Sequence, residues 1–499
     1  MPTPTPKQIL KDLKSKQENY WLKRGENMAL KLFKQMAARV PAYKDFLKKQ
    51  KINPDKIKSG ADFSSVPVTS KDTYLRRYPL EQLCWDGKFS SKQWVIAATS
   101  GSTGEPFYFP RTSEQDRQYA LLAELYLKTN FQIDKKSTLY INAFALGIWI
   151  GGLFTYQAIK LIADTGQYHL SIINPGLNKN EILNAVKKFG GKFDQIIIGG
   201  YPPFVKEVLD EGVEKKINWK KNNLKFVFSA ESFTENFRDY ILNLAGASNP
   251  YLSTLNHYGT VDQGTLAYET PISVLIRRLE VEGGLKSKPI FSDSMTQPTL
   301  AQYLPEMFYF QEERGRLICS SQSGIPLFRY DLKDKGGIIH FEKMTELFSE
   351  NGVDLKKECI NKKISETVWK LPFVYVYERS DMVVSWYGAN IYPQHIKESL
   401  LLTEQSGKLT GKFSSVLERD KNHNPFLHVN IELKKNVQPT ANLSNLLTAS
   451  LVRTLLEKNS EFRNNYSTLP KKNTPKITLW PYKSSPYFKG GGKQKWTIK

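Results

Sequence analysis

Between about residues 90 and 340, short runs rich in β-branched and aromatic residues alternate with stretches of helical periodicity, and this alternation constrains the chain more than any other feature. Thr138-Leu139-Tyr140-Ile141, Gln195-Ile196-Ile197-Ile198 and Leu224-Lys225-Phe226-Val227-Phe228 read as buried strands. Helical patterns over 178–188 and 203–209 lie between them. Strands that are apolar on both faces need helices on both sides. The pattern therefore predicts an α/β domain whose mostly parallel sheet is flanked by helices. The first 60 residues or so read as helical, with apolar spacing from Met28 to Met36 and punctuation at Pro41 and Gly60. No internal repeat or low-complexity segment interrupts the order.

After about residue 380 the pattern restarts on a smaller scale. A strand over 382–386 meets the turn Gly388-Ala389-Asn390, and a helix begins at Pro393, a residue suited to a first turn. Strands follow over 414–417 and 426–431, then a helix over 443–458 and a last strand over 477–480. This predicts a large N-terminal domain, 1–380, and a small, mobile α+β domain, 381–499. The tail of the second carries Gly490-Gly491-Gly492-Lys493.

The stretch 137–159 has no charged residue and is long enough to span a bilayer. Asn142, Thr155 and Gln157, with glycines at 147, 151 and 152, make it a buried strand, a turn and a helix instead. No membrane span is expected. The N-terminus lacks the apolar core of a signal peptide. Cys84, Cys319 and Cys359 are too far apart for a zinc or redox motif, which fits a reducing compartment and a cytoplasmic protein. Lys and Arg exceed Asp and Glu by 71 to 49, a net charge of +22 that favours anionic partners. Nucleic-acid binding would call for basic residues clustered among aromatics. The lysines are instead spread out, apart from a run near 215–225, so no nucleic-acid partner is expected.

The sharpest local signal is Thr99-Ser100-Gly101-Ser102-Thr103-Gly104-Glu105-Pro106, which follows the apolar run 94–98. Glycines let the backbone approach phosphate oxygens, and successive N–H groups with four hydroxyls offer donors to an anion. It is not a Walker A loop, because Glu105 stands where that loop's lysine would follow the last glycine. A cation must come from elsewhere.

On this loop the chain resembles the adenylate-forming superfamily of acyl-CoA synthetases, and in particular its phenylacetate–CoA ligase-like branch. Other segments match in order. Val66-Pro67-Val68-Thr69-Ser70-Lys71-Asp72 is similar to P-x-T-x-K-[DE], and Ser229-Ala230-Glu231 to the G-A-E segment beside the adenine. His257-Tyr258-Gly259-Thr260-Val261-Asp262 is similar to Y-G-x-[ST]-E. The run from Pro326 to Asp334 is similar to P-x-x-R-Y-x-T-G-D. Glu378-Arg379-Ser380-Asp381 and the run from Gly388 to Pro393 are similar to G-R-x-D-D and G-x-N-x-[FY]-P. Gly492-Lys493 stands where such chains end on a catalytic lysine.

The resemblance implies an enzyme that uses ATP and Mg²⁺ to turn a carboxylic acid into an acyl-AMP and passes the acyl group to CoA. Thr99 to Gly104, Ala230, Glu231, His257, Tyr258, Gly259, Thr260, Asp334 and Arg379 would bind the nucleotide. A bidentate carboxylate at Asp334 suits two ribose hydroxyls, and the planar fork of Arg379 suits ribose or phosphate oxygens. Asp262 would ligate Mg²⁺, a hard cation that takes oxygen ligands. Lys493 would supply the missing cation at the α-phosphate, and Asp381 would act as the hinge. Phe144, Trp149, Tyr201 and Pro202 would line a pocket for an aryl or other apolar acid. A phosphopantetheine arm on an acidic carrier protein in trans, or an amine, is the alternative acceptor, and a homodimer stays open. A degenerate adenylation fold kept for protein interaction is the rival reading. The chain departs from the pattern at Val261-Asp262, where a hydroxyl and a methylene are lost, and at Leu332-Lys333, Glu378 and Met382.

Overall fold

The computed structural model describes residues 5–99, 106–282, 290–291, 297–379, 384–484 and 487–488. Two short strands, β1 (Val95–Ala98) and β2 (Tyr108–Arg111), form an antiparallel hairpin. The next strands are β3 (Thr138–Ala143), β4 (Leu170–Ile173), β5 (Gln195–Gly200), β6 (Leu224–Ser229) and β7 (Thr254–Thr260). They pair in the order β4-β3-β5-β6-β7, and every pairing is parallel. This is the parallel run that the β/α alternation announces. The sheet then continues with six antiparallel strands: β8 (Gly264–Tyr268), β9 (Thr299–Gln302), β10 (Phe308–Glu313), β11 (Arg316–Ser321), β12 (Leu327–Ile339) and β13 (Phe373–Arg379). Their order beyond β7 is β8-β9-β13-β12-β11-β10.

The parallel strands are buried on both faces because alternate side chains enter two different cores. Tyr140, Ile197 and Val227 face one, with residues of the helices Glu18–Arg39, Ser113–Phe131 and Ile150–Asp164. Leu139, Ile141, Ile196, Ile198, Phe226 and Phe228 face the other, with the helices Lys179–Phe189, Pro202–Glu214 and Glu235–Ala245. Local chemistry sets the helix ends. Thr112 and Gln115 form a reciprocal capping box at the start of Ser113–Phe131, and Gln132 ends it in the left-handed region. Asn178 and Thr234 cap two of the other helices by accepting from backbone N–H groups.

The uncharged stretch 137–159 is strand β3, a turn and the start of the helix Ile150–Asp164. No helix among the described residues is long and apolar enough to cross a membrane. Cys84, Cys319 and Cys359 are buried free thiols.

From Val384 on, the described strands pair with one another rather than with the large sheet. The hairpin β14 (Val384–Trp386) and β15 (Ala389–Ile391) leads to the helix Pro393–Leu402. A three-stranded sheet, β16 (Leu409–Arg419), β17 (Pro425–Leu433) and β18 (Lys476–Trp480), carries the helices Ala441–Lys458 and Ser460–Thr468. Trp386, Phe413 and Leu427 join the second of the two cores.

Candidate active site

Ligands of open α/β sheets bind outside the carboxyl ends of the strands, where successive connections diverge. Here β4 and β5 flank β3 on opposite sides, and the residues just past the strand ends enclose a cavity of about 560 Å³. Phe144 follows β3, Tyr201 follows β5, Ala230 and Glu231 follow β6, and β7 ends on His257-Tyr258-Gly259-Thr260. Thr99, Trp149, Asp262 and Asp334 complete the expected set on its wall. Pro202 does not join them. It is buried at the first turn of the helix Pro202–Glu214, where its fixed φ and missing N–H suit the start of a helix. Residues 100–104, Asp381 and Lys493 lie outside the described residues, as does the side chain of Arg379.

The loop that begins at Thr99 is closed at its neck. The Thr99 N–H donates to the Phe107 carbonyl at 3.0 Å, and the Thr99 hydroxyl accepts from the Phe107 N–H at 3.0 Å. This pair extends the β1–β2 ladder by one step and sets Thr99 at the cavity wall.

Asp334 comes from β12, whose register sets it opposite Arg379 of β13. Its Oδ2 accepts from the Tyr258 hydroxyl at 2.5 Å, and the carboxylate is 7% exposed. Tyr258 thereby links the end of β7 to β12 across the cavity.

Asp262 meets two partners. The Tyr330 hydroxyl donates to Oδ2 at 2.5 Å, and Lys71 Nζ lies 3.2 Å from Oδ1. Lys71 is delivered by a segment that runs beside β12. Thr69 bonds through its N–H to the Arg329 carbonyl and through its own carbonyl to the Asp331 N–H, both at 2.9 Å. Lys71 lies in the matched segment 66–72, but its place against Asp262 depends on a pairing across some 260 residues, which no local pattern reveals.

Burial shapes the charge states. Glu231 is pushed up to about 7 by burial, against the pull of Arg419 and of the Gly388 N–H, which donates to its Oε1 at 2.6 Å. Ala230 before it has φ +75°, in the left-handed region where non-glycine residues are uncommon. His257 is driven down to about 3 by burial alone, with ring contacts to Tyr119, Tyr126 and Tyr268. It lines the cavity as a neutral ring.

Beyond the strand ends the wall turns aromatic. Phe144 packs edge-on to Tyr201 with centroids 5.4 Å apart, and Tyr119 stacks on Phe154 at 4.4 Å. Tyr119 and Phe154 come from the helices Ser113–Phe131 and Ile150–Asp164 and were not among the residues expected at the site. The chain after 380 supplies a further wall that sequence reasoning missed: Tyr387 and Gly388 of the β14–β15 turn, Arg419, and Glu461, Asn464 and Asn465 from the helix Ser460–Thr468.

No family model matches the chain. A phenylacetate–coenzyme A ligase from Aromatoleum evansii is 22% identical over 412 residues, which is 81% of this chain and 79% of that protein. Among solved structures, 2-hydroxyisobutyryl-CoA ligase with its adenylate and CoA in the thioesterification state superposes with TM-score 0.64 at 15% identity, over 98% of this chain and 91% of that one. The same ligase in its postadenylation state, with its adenylate, gives 0.54 at 14% identity over the same shares. The fold is thus the one seen in these adenylate-forming ligases. In sequence the similarity is to a phenylacetate–coenzyme A ligase.

Proposed function

We propose that the chain is an AMP-forming acid–thiol ligase: it activates a carboxylic acid with ATP and transfers the acyl group to CoA. One observation carries this reading. A single cavity at the strand ends gathers the loop neck at Thr99, the Tyr258–Asp334 pair and an aromatic wall.

A carboxylate oxygen of the acid attacks the α-phosphorus of ATP. The bond from that phosphorus to the bridging oxygen breaks, and pyrophosphate leaves with the electron pair. Positioning and charge stabilisation do most of this work. The loop 99–104 cradles phosphate oxygens with backbone N–H groups. Asp334, held by Tyr258, accepts from the ribose hydroxyls. Ala230, Glu231, His257, Gly259 and Thr260 bound the adenine and α-phosphate. Arg379 holds ribose or phosphate oxygens, and Lys493 stabilises charge on the α-phosphate. The thiol sulfur of CoA then attacks the acyl carbon, the C–O bond to AMP breaks, and AMP leaves as the thiol gives up its proton. Segment 381–499 rotates about Asp381 between the two steps.

The donors present fit Mg²⁺ in a limited way. Among the described residues no three acidic, His or Cys groups cluster as a metal site. Asp262 is a single carboxylate already paired with Lys71. A single carboxylate suffices for Mg²⁺ where nucleotide phosphates supply the other oxygens. Bound there, the ion would neutralise phosphate charge. Phe144, Trp149 and Tyr201 support an aryl or other apolar acid, and a reaction on ATP and CoA is compatible with the cytoplasm.

The test is pyrophosphate release from ATP and Mg²⁺ with phenylacetate, benzoate, octanoate, 2-hydroxyisobutyrate and amino acids, each with and without CoA. Release that depends on one acid, followed by its CoA thioester, supports the reading. Thioester formation failing while a carrier-protein thiol or an amine accepts would move the acceptor. No ATP binding at all would sink the enzyme and leave the interaction protein.

A further inference from the structure

The turn of the β14–β15 hairpin is held over the cavity from three directions. The Tyr387 hydroxyl donates to Glu207 Oε1, on the helix Pro202–Glu214. The Gly388 N–H donates to Glu231 Oε1 at 2.6 Å, and Asn465 Nδ2 donates to the Tyr387 carbonyl at 2.8 Å. Gly388 has φ +78°, and a Cβ there would come within 3.0 Å of the Tyr201 ring, so the turn sits flush against the cavity wall. The same helix grips the later segment once more: Lys206, 1% exposed, donates to Asn424 Oδ1 at 3.0 Å while paired with Asp210 at 2.5 Å.

Glu207 is itself 5% exposed and touches none of the cavity, so its carboxylate answers to the hairpin and to Lys179, 3.8 Å away. A buried carboxylate with such partners is costly to keep unless it positions something. The arrangement it holds is the one whose overlay on 2-hydroxyisobutyryl-CoA ligase is best in that enzyme's thioesterification state, 0.64, against 0.55 and 0.54 in the postadenylation state and 0.52 in the open conformation.

We infer that Glu207 is a positioning residue for acyl transfer: by accepting the Tyr387 hydroxyl it clasps the β14–β15 turn in the arrangement from which the acceptor thiol attacks the acyl-AMP. The inference rests on the proposed two-step ligase reaction. Adenylation, in the other arrangement, does not use the clasp.

The experiment compares full-length wild-type protein with Glu207→Leu, Tyr387→Phe and Glu207→Gln, which keeps an acceptor oxygen. Hydrogen exchange is followed over 384–391 and, as an internal reference, over 195–200. Acid-dependent pyrophosphate release and thioester formation with CoA are measured separately, using the acid that supports release in wild type. The loss of one buried hydrogen bond makes hairpin exchange and thioester formation each change by about tenfold in Glu207→Leu and Tyr387→Phe. Pyrophosphate release in Glu207→Leu stays at the wild-type rate, exchange over 195–200 is unchanged, and Glu207→Gln recovers transfer. Wild-type thioester formation in Glu207→Leu and Tyr387→Phe would overturn the inference. So would an equal loss of both half-reactions with faster exchange everywhere, the mark of a merely structural residue. If wild type releases no pyrophosphate with any acid, the ligase reading falls. The exchange arm then still decides the clasp, and an unchanged hairpin would remove it.

Discussion

Acid should unfold this protein partly through one histidine. His257 lies among Tyr119, Tyr126 and Tyr268, and burial drives its imidazole from an ordinary value near 6.5 to about 3. Its Nε2 has no hydrogen-bond partner among the described residues, so none of them compensates a proton there. Between about pH 6.5 and 3 the unfolded chain therefore binds a proton that the folded chain refuses. Stability from this group is complete above about 6.5 and is lost as pH falls through that window. At about pH 4.5 the unfolded imidazole is two units below its pKa, which at about 1.4 kcal/mol per unit costs about 2.7 kcal/mol. His257→Phe removes the titration and keeps an aromatic ring in the cage. Urea unfolding of both proteins at about pH 7.5 and 4.5 isolates the effect, because every other group cancels in the difference. The variant should gain about 2.7 kcal/mol on wild type as pH falls. A gap that stays constant between the two pH values would refute a neutral, buried His257.

Glu231 carries the opposite sign. Its folded pKa is raised from 4.5 to about 7 by burial, so its stability is present below about 4.5 and lost as pH rises through 7. Glu231→Gln should gain about 3 kcal/mol on wild type between about pH 4 and 8 in urea titrations, and parallel curves would argue against it. Asp334→Asn keeps an acceptor for Tyr258 but loses the charge offered to the ribose. The KM for ATP in pyrophosphate release should rise between about tenfold and a hundredfold. Lys71→Met leaves Asp262 with Tyr330 alone. The Mg²⁺ needed for half-maximal release should fall about fivefold, and an unchanged requirement would remove Asp262 from the metal site. Lys493→Ala should slow pyrophosphate release by at least about two orders of magnitude with the thermal midpoint unchanged, and wild-type release would exclude Lys493 from catalysis.

The parallel half of the sheet is legible in the sequence because burial on both faces forces a composition. Gln195–Gly200 is buried at every position, and its run of three isoleucines announces that. The antiparallel extension leaves no such mark. Phe308–Glu313 alternates buried with half-buried side chains over four residues only and then ends on two glutamates, too short a pattern to stand out. In β12, Arg329 and Lys333 take left-handed φ values, and the ladder to β11 shifts register twice. A strand broken in that way has no clean period of two for a sequence to display.

The site divides along the same line. Thr99, Glu231, Tyr258 and Asp334 are recoverable because each belongs to a short run whose order is itself the signal. Lys71 shows the limit. Its segment could be matched, but its partner is fixed by Thr69 pairing with Arg329 and Asp331, and that contact exists only once β12 is built. The pair gives the Val261-Asp262 departure a physical reading. A carboxylate one methylene shorter reaches less far into the cavity, and here its two oxygens are met by Lys71 and the Tyr330 hydroxyl. The ammonium stands beside the carboxylate that would face the phosphates, in a site whose loop lacks a lysine of its own. Part of the positive charge that a glycine-rich loop usually carries is thus brought to this cavity by an N-terminal segment held against a distant strand, which is why the loop sequence alone under-reports the electrostatics of the site.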